Sequence, residues 1–113
     1  MIIKNMNLPI ILSDLVKAQN IHDSVAYANC FSESAIVIDE GRTYKGKVDI
    51  QQWITTANEN FKTVMKPIDF KETETTSILK AEIFGSFPGS PAVLNYHLEM
   101  VDGLIQSLKI LPE

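Results

Sequence analysis

The chain is poor in residues that ligate metals or form disulfides. It has one cysteine, Cys30, and two histidines, His22 and His97. One cysteine excludes an intrachain disulfide, so we expect a reducing, cytoplasmic location. The cysteine and the histidines are too far apart in sequence for a typical zinc set, and the five glycines show no phosphate-binding spacing. We therefore predict no metal and no cofactor.

A basic cluster and long apolar runs are also missing. The formal net charge is −4 and the ten Lys and Arg residues are scattered, which argues against a nucleic-acid partner. No apolar run approaches the ~20 residues that cross a bilayer, and the start lacks the pattern of an export signal. With 45% hydrophobic and 21% charged residues, the composition is that of a globular protein. We predict one domain over residues 1–113, with no membrane-spanning segment.

Helical spacing dominates the first half of the chain. Pro9 suits the first turn of a short amphipathic helix, and Asp23 suits the N-cap of a second helix. The second helix is predicted to bury Val25, Ala26, Cys30 and Phe31. A later helix is predicted from apolar residues that recur on one face; these are Ile50, Trp53, Ile54, Ala57 and Phe61.

A short strand over residues 35–41 carries an acid where apolar residues are expected. It is rich in β-branched residues and closes with a glycine turn, and residues 43–46 are predicted to form a further turn. Because side chains alternate along a strand, Asp39 shares one face with Ala35 and Val37. Asp39 is therefore the residue of greatest chemical interest.

The second half of the chain changes to strand-type alternation. The segment 65–75 alternates weakly, and Pro67 near its start indicates that this end lies at a sheet edge or a bulge. Leu79, Ala81 and Ile83 mark one apolar face of the next strand, and Asp102-Gly103 is typical of a type I′ hairpin. The predicted strands are 65–75, 78–84, 92–101 and 104–110. Helices followed by an antiparallel meander predict an α+β fold.

This order of elements resembles that of a known superfamily. The helix pair around His22-Asp23, the strand ending near Asp39, the Tyr44-Lys45-Gly46 turn and the Trp53 helix are similar to the nuclear transport factor 2-like superfamily, and more narrowly to its SnoaL-like branch. The resemblance covers roughly residues 8–111. It implies a cone-shaped α+β barrel, with N-terminal helices packed in a strongly curved antiparallel sheet. It also implies a small-molecule pocket and a homodimer formed through the sheet.

The resemblance also implies a role for Asp39. In the ketosteroid isomerase branch a carboxylate near the end of the equivalent strand is the general base, and Asp39 lines up with it. Apolar neighbours such as Val37 and Trp53 would raise the pKa of this carboxyl. Alternatively, Asp39 caps a turn or pairs with Arg42. The isomerase also uses a tyrosine to stabilise the enolate oxygen, whereas Leu15 stands near that position, so steroid isomerisation is not expected.

Tyr96 and His97 point to opposite faces of their strand. Tyr96 shares its face with Leu94, Leu98 and Met100, which indicates the core side. His97 then lies on a face that is solvated or packed against a second subunit, and we keep it as a second catalytic candidate. His22, beside the capping Asp23, is expected to hydrogen-bond a helix terminus.

Aromatic and apolar residues are predicted to line the pocket, although Trp53 and its neighbours also suit a plain core. The predicted ligand-binding residues are Tyr27, Phe31, Val37, Tyr44, Trp53, Ile54, Ala57, Tyr96 and Met100. The first hypothesis is a cofactor-free isomerase or cyclase that uses Asp39 as acid or base on a small hydrophobic carbonyl compound. The second is a non-catalytic ligand-binding or dimeric interaction module. A transport adaptor is the weakest, because no partner-recognition motif is visible.

Overall fold

A computed structural model describes residues 7–113 as helices packed on one six-stranded sheet. The helices are α1 (Ile10–Asn20), α2 (Ser24–Ala28) and α3 (Gly46–Phe61). The strands are β1 (Phe31–Asp39), β2 (Arg42–Lys45), β3 (Val64–Glu72), β4 (Ser77–Phe84), β5 (Ala92–Val101) and β6 (Leu104–Pro112). Their order in the sheet is β2-β1-β6-β5-β4-β3. The predictions for the first six residues, including the lack of an export signal, lie outside the described residues.

The α+β prediction is confirmed, but the sheet is mixed rather than wholly antiparallel. β1 runs parallel to β6, and the other neighbouring strands are antiparallel. A parallel pair needs a long crossover connection, and here α3 and the β3–β5 meander supply it. The sheet is open, because β2 and β3 form its two edges.

The core lies between the helices and one face of the sheet. Leu79, Ala81 and Ile83 are buried on β4, as their alternation predicts. Leu12 and Leu15 of α1 and Ile50 and Ile54 of α3 cover this face and are also buried. Burying these apolar side chains supplies the main favourable term that holds helices and sheet together.

Several local signals are confirmed. The Asp23 carboxylate accepts a hydrogen bond from the Ala26 backbone N–H at 3.0 Å and caps α2. Pro67 lies on the edge strand β3, next to a shift in register. Asp102 and Gly103 both have positive φ, 53° and 79°, as a type I′ turn requires.

Two local predictions are wrong. Phe31 belongs to β1 rather than to the second helix, because it pairs with Ile105 across the parallel ladder; Val25, predicted to be buried, is 55% exposed. Residues 43–46 are not a turn. The chain already reverses at Glu40 and Gly41, which both have positive φ, so Arg42–Lys45 pairs with β1 as a strand.

None of the helices in residues 7–113 is both long enough and apolar enough to cross a membrane.

Asn58 carries a buried amide that the described part of the chain leaves unpaired. It lies on α3 in line with Ile50 and Ile54, it is 8% exposed, and neither its Nδ2 nor its Oδ1 has a hydrogen-bond partner in residues 7–113. An unsatisfied buried polar group costs about 1–3 kcal/mol. Asn58→Leu is therefore expected to raise the free energy of unfolding in urea by about that amount.

Asn60→Leu is the matched control, because Asn60 is exposed on the same helix. It should change the free energy of unfolding by no more than about 0.5 kcal/mol. A loss of stability in Asn58→Leu would show that the amide has a partner, such as a bound water, and would contradict the prediction.

Candidate functional site

A cavity of about 880 Å³ lies between α3 and the inner face of the sheet. That volume falls in the usual range for small-molecule sites. Its walls come from the end of α1, from α2, from the end of β1, from β2, from α3 and from strands β4 to β6. The cavity is therefore built by segments from the whole length of the chain.

Asp39 is the last residue of β1 and lines this cavity. It is half-buried and follows the buried Ala35 and Val37 on the same strand face. Burial raises the pKa of the Asp39 carboxyl and the charge of Glu40 raises it further, whereas a hydrogen bond with the Trp53 side chain opposes the rise. The carboxyl is thus a stronger base than an ordinary aspartate.

Arg42 does not neutralise Asp39. The two residues are opposite each other across the β1–β2 hairpin, but the ion pairs among residues 7–113 join Lys47 to Glu33 and Lys80 to Glu113. Asp39 therefore does not form the ion pair with Arg42 that the sequence analysis gave as an alternative.

A row of aromatic rings runs along the wall next to Asp39. The Trp53 ring centroid lies 6.1 Å from that of Tyr27 and 5.6 Å from that of Tyr44. Tyr27 is buried, whereas Trp53 and Tyr44 are partly exposed, and all three line the cavity. Trp53 thus serves both as packing for its helix and as cavity wall.

Tyr27 and Tyr96 place two buried phenols at the cavity. Burial is the main cause that raises the pKa of each, and the charge of Asp39 contributes to both. Both hydroxyls therefore stay protonated at neutral pH. A protonated phenol in such a site donates a hydrogen bond to an oxygen acceptor.

A polar cluster joins the end of α1 to the start of β3. The Gln19 side-chain Nε2 donates to Thr63 Oγ1 at 3.1 Å, and His22 Nε2 donates to the Thr63 carbonyl at 2.9 Å. Asn20 accepts a hydrogen bond from the Met65 N–H at 2.7 Å and donates one to its carbonyl at 3.1 Å. His22 thus bonds the segment before β3 rather than a helix terminus.

Sequence reasoning missed Gln19 and Thr63, which both line the cavity and are buried. Gln19 falls one helical turn after Leu15, on the apolar face of α1, and a polar residue at such a position was the available signal. The sequence held no comparable signal for Thr63, because its partner is 44 residues away.

Of the predicted ligand-binding residues, most line the cavity; these are Tyr27, Tyr44, Trp53, Ile54, Ala57 and Tyr96. Phe31 and Val37 lie instead in the sealed core, and Met100 packs partly buried against it. Phe31 begins β1, and its ring packs 5.6 Å from the ring of Tyr27. Tyr27 lines the cavity and Phe31 does not, so Phe31 lies in the core next to a residue of the cavity wall.

His97 lies on the outer face of the sheet. Its neighbours across the ladders are Ile78 on β4 and Lys109 on β6, and its side chain alternates with those of the buried Tyr96 and Leu98. It does not line the cavity. The structure therefore does not bring the two catalytic candidates, Asp39 and His97, together.

Sequence reasoning also did not predict which residues lie at the mouth of the cavity. Glu40, Arg42 and Asp49 are exposed there. A loop carrying Phe87 completes the rim and is held by a hydrogen bond from the Ser86 N–H to the Phe61 carbonyl at 2.9 Å, and the Phe61 and Phe87 rings pack edge to face at 6.2 Å.

Residues 7–113 contain no group of three or more histidine, cysteine, aspartate or glutamate side chains arranged to hold a metal ion.

Comparison with solved structures places the chain among proteins of one fold. A candidate polyketide cyclase from Sinorhizobium meliloti is 31% identical, with 93% of this chain and 96% of that chain covered and a TM-score of 0.89. A protein with a ketosteroid isomerase-like fold from Catenulispora acidiphila, solved with trimethylamine, is 16% identical (93% and 86% covered, TM-score 0.84). An NTF2-like protein of unknown function from Cytophaga hutchinsonii is 13% identical (98% and 95% covered, TM-score 0.78). No protein-family model and no curated protein matches the chain.

Proposed function

Because the chain belongs to the nuclear transport factor 2-like superfamily, in its SnoaL-like branch, we propose that it is a cofactor-free isomerase or cyclase. The cavity binds a small hydrophobic carbonyl compound, and Asp39 moves a proton of that compound. The observation that carries the proposal is the Asp39 carboxyl itself, which is half-buried in the cavity wall beside Trp53 and has no neutralising cation among residues 7–113.

The chemistry follows from the raised pKa of Asp39. A desolvated carboxylate accepts a proton from the carbon next to a carbonyl more readily than a solvated one does. The electron pair of the broken C–H bond moves onto the carbonyl oxygen and forms an enolate. If the compound has a C=C bond next to this carbon, the enolate is conjugated with it, and Asp39 can return the proton at the far carbon, so that the double bond moves and the result is an isomerisation. If the enolate carbon instead attacks a second carbonyl, a ring closes, and Asp39 returns its proton to the alkoxide oxygen that forms.

The test is hydrogen exchange at carbon, with 2-tetralone as the probe. This hydrophobic ketone exchanges its C1 protons for deuterium in D₂O, and proton NMR follows the loss of the signal. The folded protein is expected to accelerate the exchange in a saturable way. The control is the same concentration of protein unfolded in urea, which presents the same carboxylates without a cavity. Each rate is corrected for exchange in the same solution without protein. Equal rates in the two samples would contradict the enzymatic proposal.

A second candidate is a binding protein without catalysis. It is favoured by the position of His97, which leaves Asp39 without a second catalytic candidate in the cavity. Trp53 is the single tryptophan and lines the cavity, so its fluorescence reports binding. If 2-tetralone changes this fluorescence but exchanges no faster, the binding function replaces the enzymatic one.

We also propose a homodimer through the outer sheet face. That face combines half-buried or exposed apolar residues with charges of both signs, Ile78, Lys80, Glu82, Val93, Lys109 and Leu111. A second copy related by a two-fold axis can cover the apolar residues and set lysines against glutamates. Sedimentation is expected to give twice the chain mass of 12.6 kDa, and Leu111→Glu should shift the species towards monomer. A concentration-independent monomer of the unmodified chain would refute the proposal.

We further propose a cytoplasmic location. It is supported by Cys30, the only cysteine, whose thiol is buried. Burial, and to a smaller extent the charge of Asp14, raises the pKa of this thiol to about 11, so little reactive thiolate forms at neutral pH. Fractionation of the source cells tests the location.

A further inference from the structure

The cavity is elongated along helix α3. Residues that recur every three or four positions on one face of this helix line it, from the first turn to the last residue; these are Asp49, Gln52, Trp53, Thr56, Ala57 and Phe61. Trp53 stands beside Asp39. Since an α-helix rises about 1.5 Å per residue, Phe61 lies about 12 Å further along the helix axis than Trp53. The cavity therefore continues well beyond the carboxyl of Asp39.

The end of the cavity near the start of α3 is polar. Asp39 ends β1, Glu40 and Arg42 follow it in the β1–β2 hairpin, and Asp49 and Gln52 belong to the first turns of α3. All of these except the half-buried Asp39 are exposed to solvent. A polar head group keeps its hydration at this end.

The opposite end is lined by apolar side chains. Phe61 is the last residue of α3, and its carbonyl accepts a hydrogen bond from the Ser86 N–H at 2.9 Å, so the loop between β4 and β5 is fixed against it. The Phe87 ring of this loop packs edge to face on the Phe61 ring at 6.2 Å. We call this part of the cavity the apolar end; its walls are Ala57, Phe61, Ile83, Phe87 and Leu94.

Apolar surface at the apolar end still faces solvent. Phe61 is 37% exposed, and Phe87 and Leu94 are partly exposed. The nearby hydroxyls already have partners within the protein, because Thr56 donates to the carbonyl of Gln52 and Thr63 accepts from Gln19. A ligand therefore gains most at this end by covering apolar surface, and a polar group placed there would lose hydration without a partner.

We propose that the ligand of this cavity is an elongated, two-part molecule, with its carbonyl group at Asp39 and an unbranched apolar tail that ends between Phe61 and Phe87. The distance of about 12 Å along α3 corresponds to a tail of about ten carbon atoms. The substrate class is accordingly a long-chain carbonyl compound, and Phe87 is a residue that determines its length. The carbonyl part of this statement rests on the proposed function, whereas the tail rests on the walls of the apolar end alone.

The test measures how affinity depends on chain length. The probes are the methyl ketones 2-hexanone, 2-octanone, 2-decanone, 2-dodecanone and 2-tetradecanone, and equilibrium dialysis gives each dissociation constant. Burying one methylene corresponds to a factor of about four in affinity. The unmodified protein should show a gain of this order for each added methylene up to 2-dodecanone and little gain beyond it, where the chain passes the Phe87 loop.

Phe87→Ala is expected to lower the ratio of the affinities for 2-dodecanone and 2-hexanone by roughly ten-fold, because the last methylenes of the long tail lose their wall. Phe84→Ala is the matched control. Phe84 is 39% exposed at the end of β4 and does not line the cavity, so this variant should keep the ratio. If Phe87→Ala does not fold, nuclear Overhauser contacts between the terminal methyl group of bound 2-dodecanone and the Phe87 ring decide.

Equal affinity for the short and long ketones would overturn the inference, and so would a gain that continues unchanged through 2-tetradecanone. A ratio that survives in Phe87→Ala, or a terminal methyl group that shows no contact with Phe87, would have the same effect. The corresponding 2-alkanols, which have no carbonyl group, should show the same dependence on chain length. A failure of the 2-tetralone exchange test therefore leaves the tail requirement standing, because the two are tested separately.

Discussion

Asp39→Asn is expected to slow the protein-catalysed deuterium exchange of 2-tetralone by about 10²–10⁴-fold, the usual contribution of a general base. The amide has nearly the same shape as the carboxyl but cannot accept the proton from carbon. NMR at several pH values measures the effect. In the unmodified protein the rate should rise with pH as Asp39 ionises, and this dependence should disappear in Asp39→Asn.

Glu99→Gln is the control for loss of one negative charge, because Glu99 is exposed on the β5 strand away from the cavity. It should retain the exchange rate of the unmodified protein. An Asp39→Asn variant that exchanges 2-tetralone at the original rate would remove Asp39 from the mechanism.

The same substitution is expected to stabilise the fold at neutral pH. The pKa of Asp39 is raised in the folded protein above its ordinary value of 3.8, so the folded state binds the proton more tightly than the unfolded state. Stability from this group is therefore greatest below pH 3.8 and falls as the pH rises through the folded pKa. Urea unfolding should show that the free energy of unfolding of Asp39→Asn, relative to that of the unmodified protein, increases from acid to neutral pH. A loss of stability at neutral pH would identify Asp39 as a structural partner.

Phe31→Ala is expected to lower the free energy of unfolding by about 3–5 kcal/mol, the range for removing a buried aromatic ring. Phe31 is completely buried, its ring packs 5.6 Å from that of Tyr27, and its backbone begins the β1–β6 pairing. Phe31 does not line the cavity, so the whole effect should appear as lost stability. Urea unfolding measures it.

Tyr44→Ala is the comparison for Phe31→Ala, because Tyr44 is also aromatic but is partly exposed at the cavity wall. It should cost clearly less stability while weakening the response of Trp53 fluorescence to 2-tetralone, since the two rings are in contact. If the two substitutions cost the same stability, the distinction between core and cavity wall at these positions is wrong.

Leu15 bears on the comparison with steroid isomerases. It stands near the position where the resemblance implies an oxygen-binding tyrosine, and it is completely buried and does not line the cavity. The expectation that this chain does not isomerise steroids therefore stays a prediction, now with a defined core role for Leu15.

Local patterns in the sequence were sufficient for most elements. The alternation of Leu79, Ala81 and Ile83 predicts a half-buried strand, and Asp102-Gly103 predicts a type I′ hairpin, because each depends on neighbouring backbone and side chains alone. For the same reason Asp39 could be placed on the inner face, two residues after Val37. That residues 1–113 form one folding unit stays a prediction.

Long-range pairing decided the rest. The parallel contact of β1 with β6, the hydrogen bond between Gln19 and Thr63, and the burial of Phe31 against β6 join residues 44 or more positions apart. Such a contact depends on two distant segments together, whereas hydrophobic periodicity describes only one segment at a time. The periodicity of either segment therefore does not predict the contact. The sequence by itself determined the kinds of elements and the inward face of Asp39, whereas only the tertiary structure decided which residues meet it around the cavity.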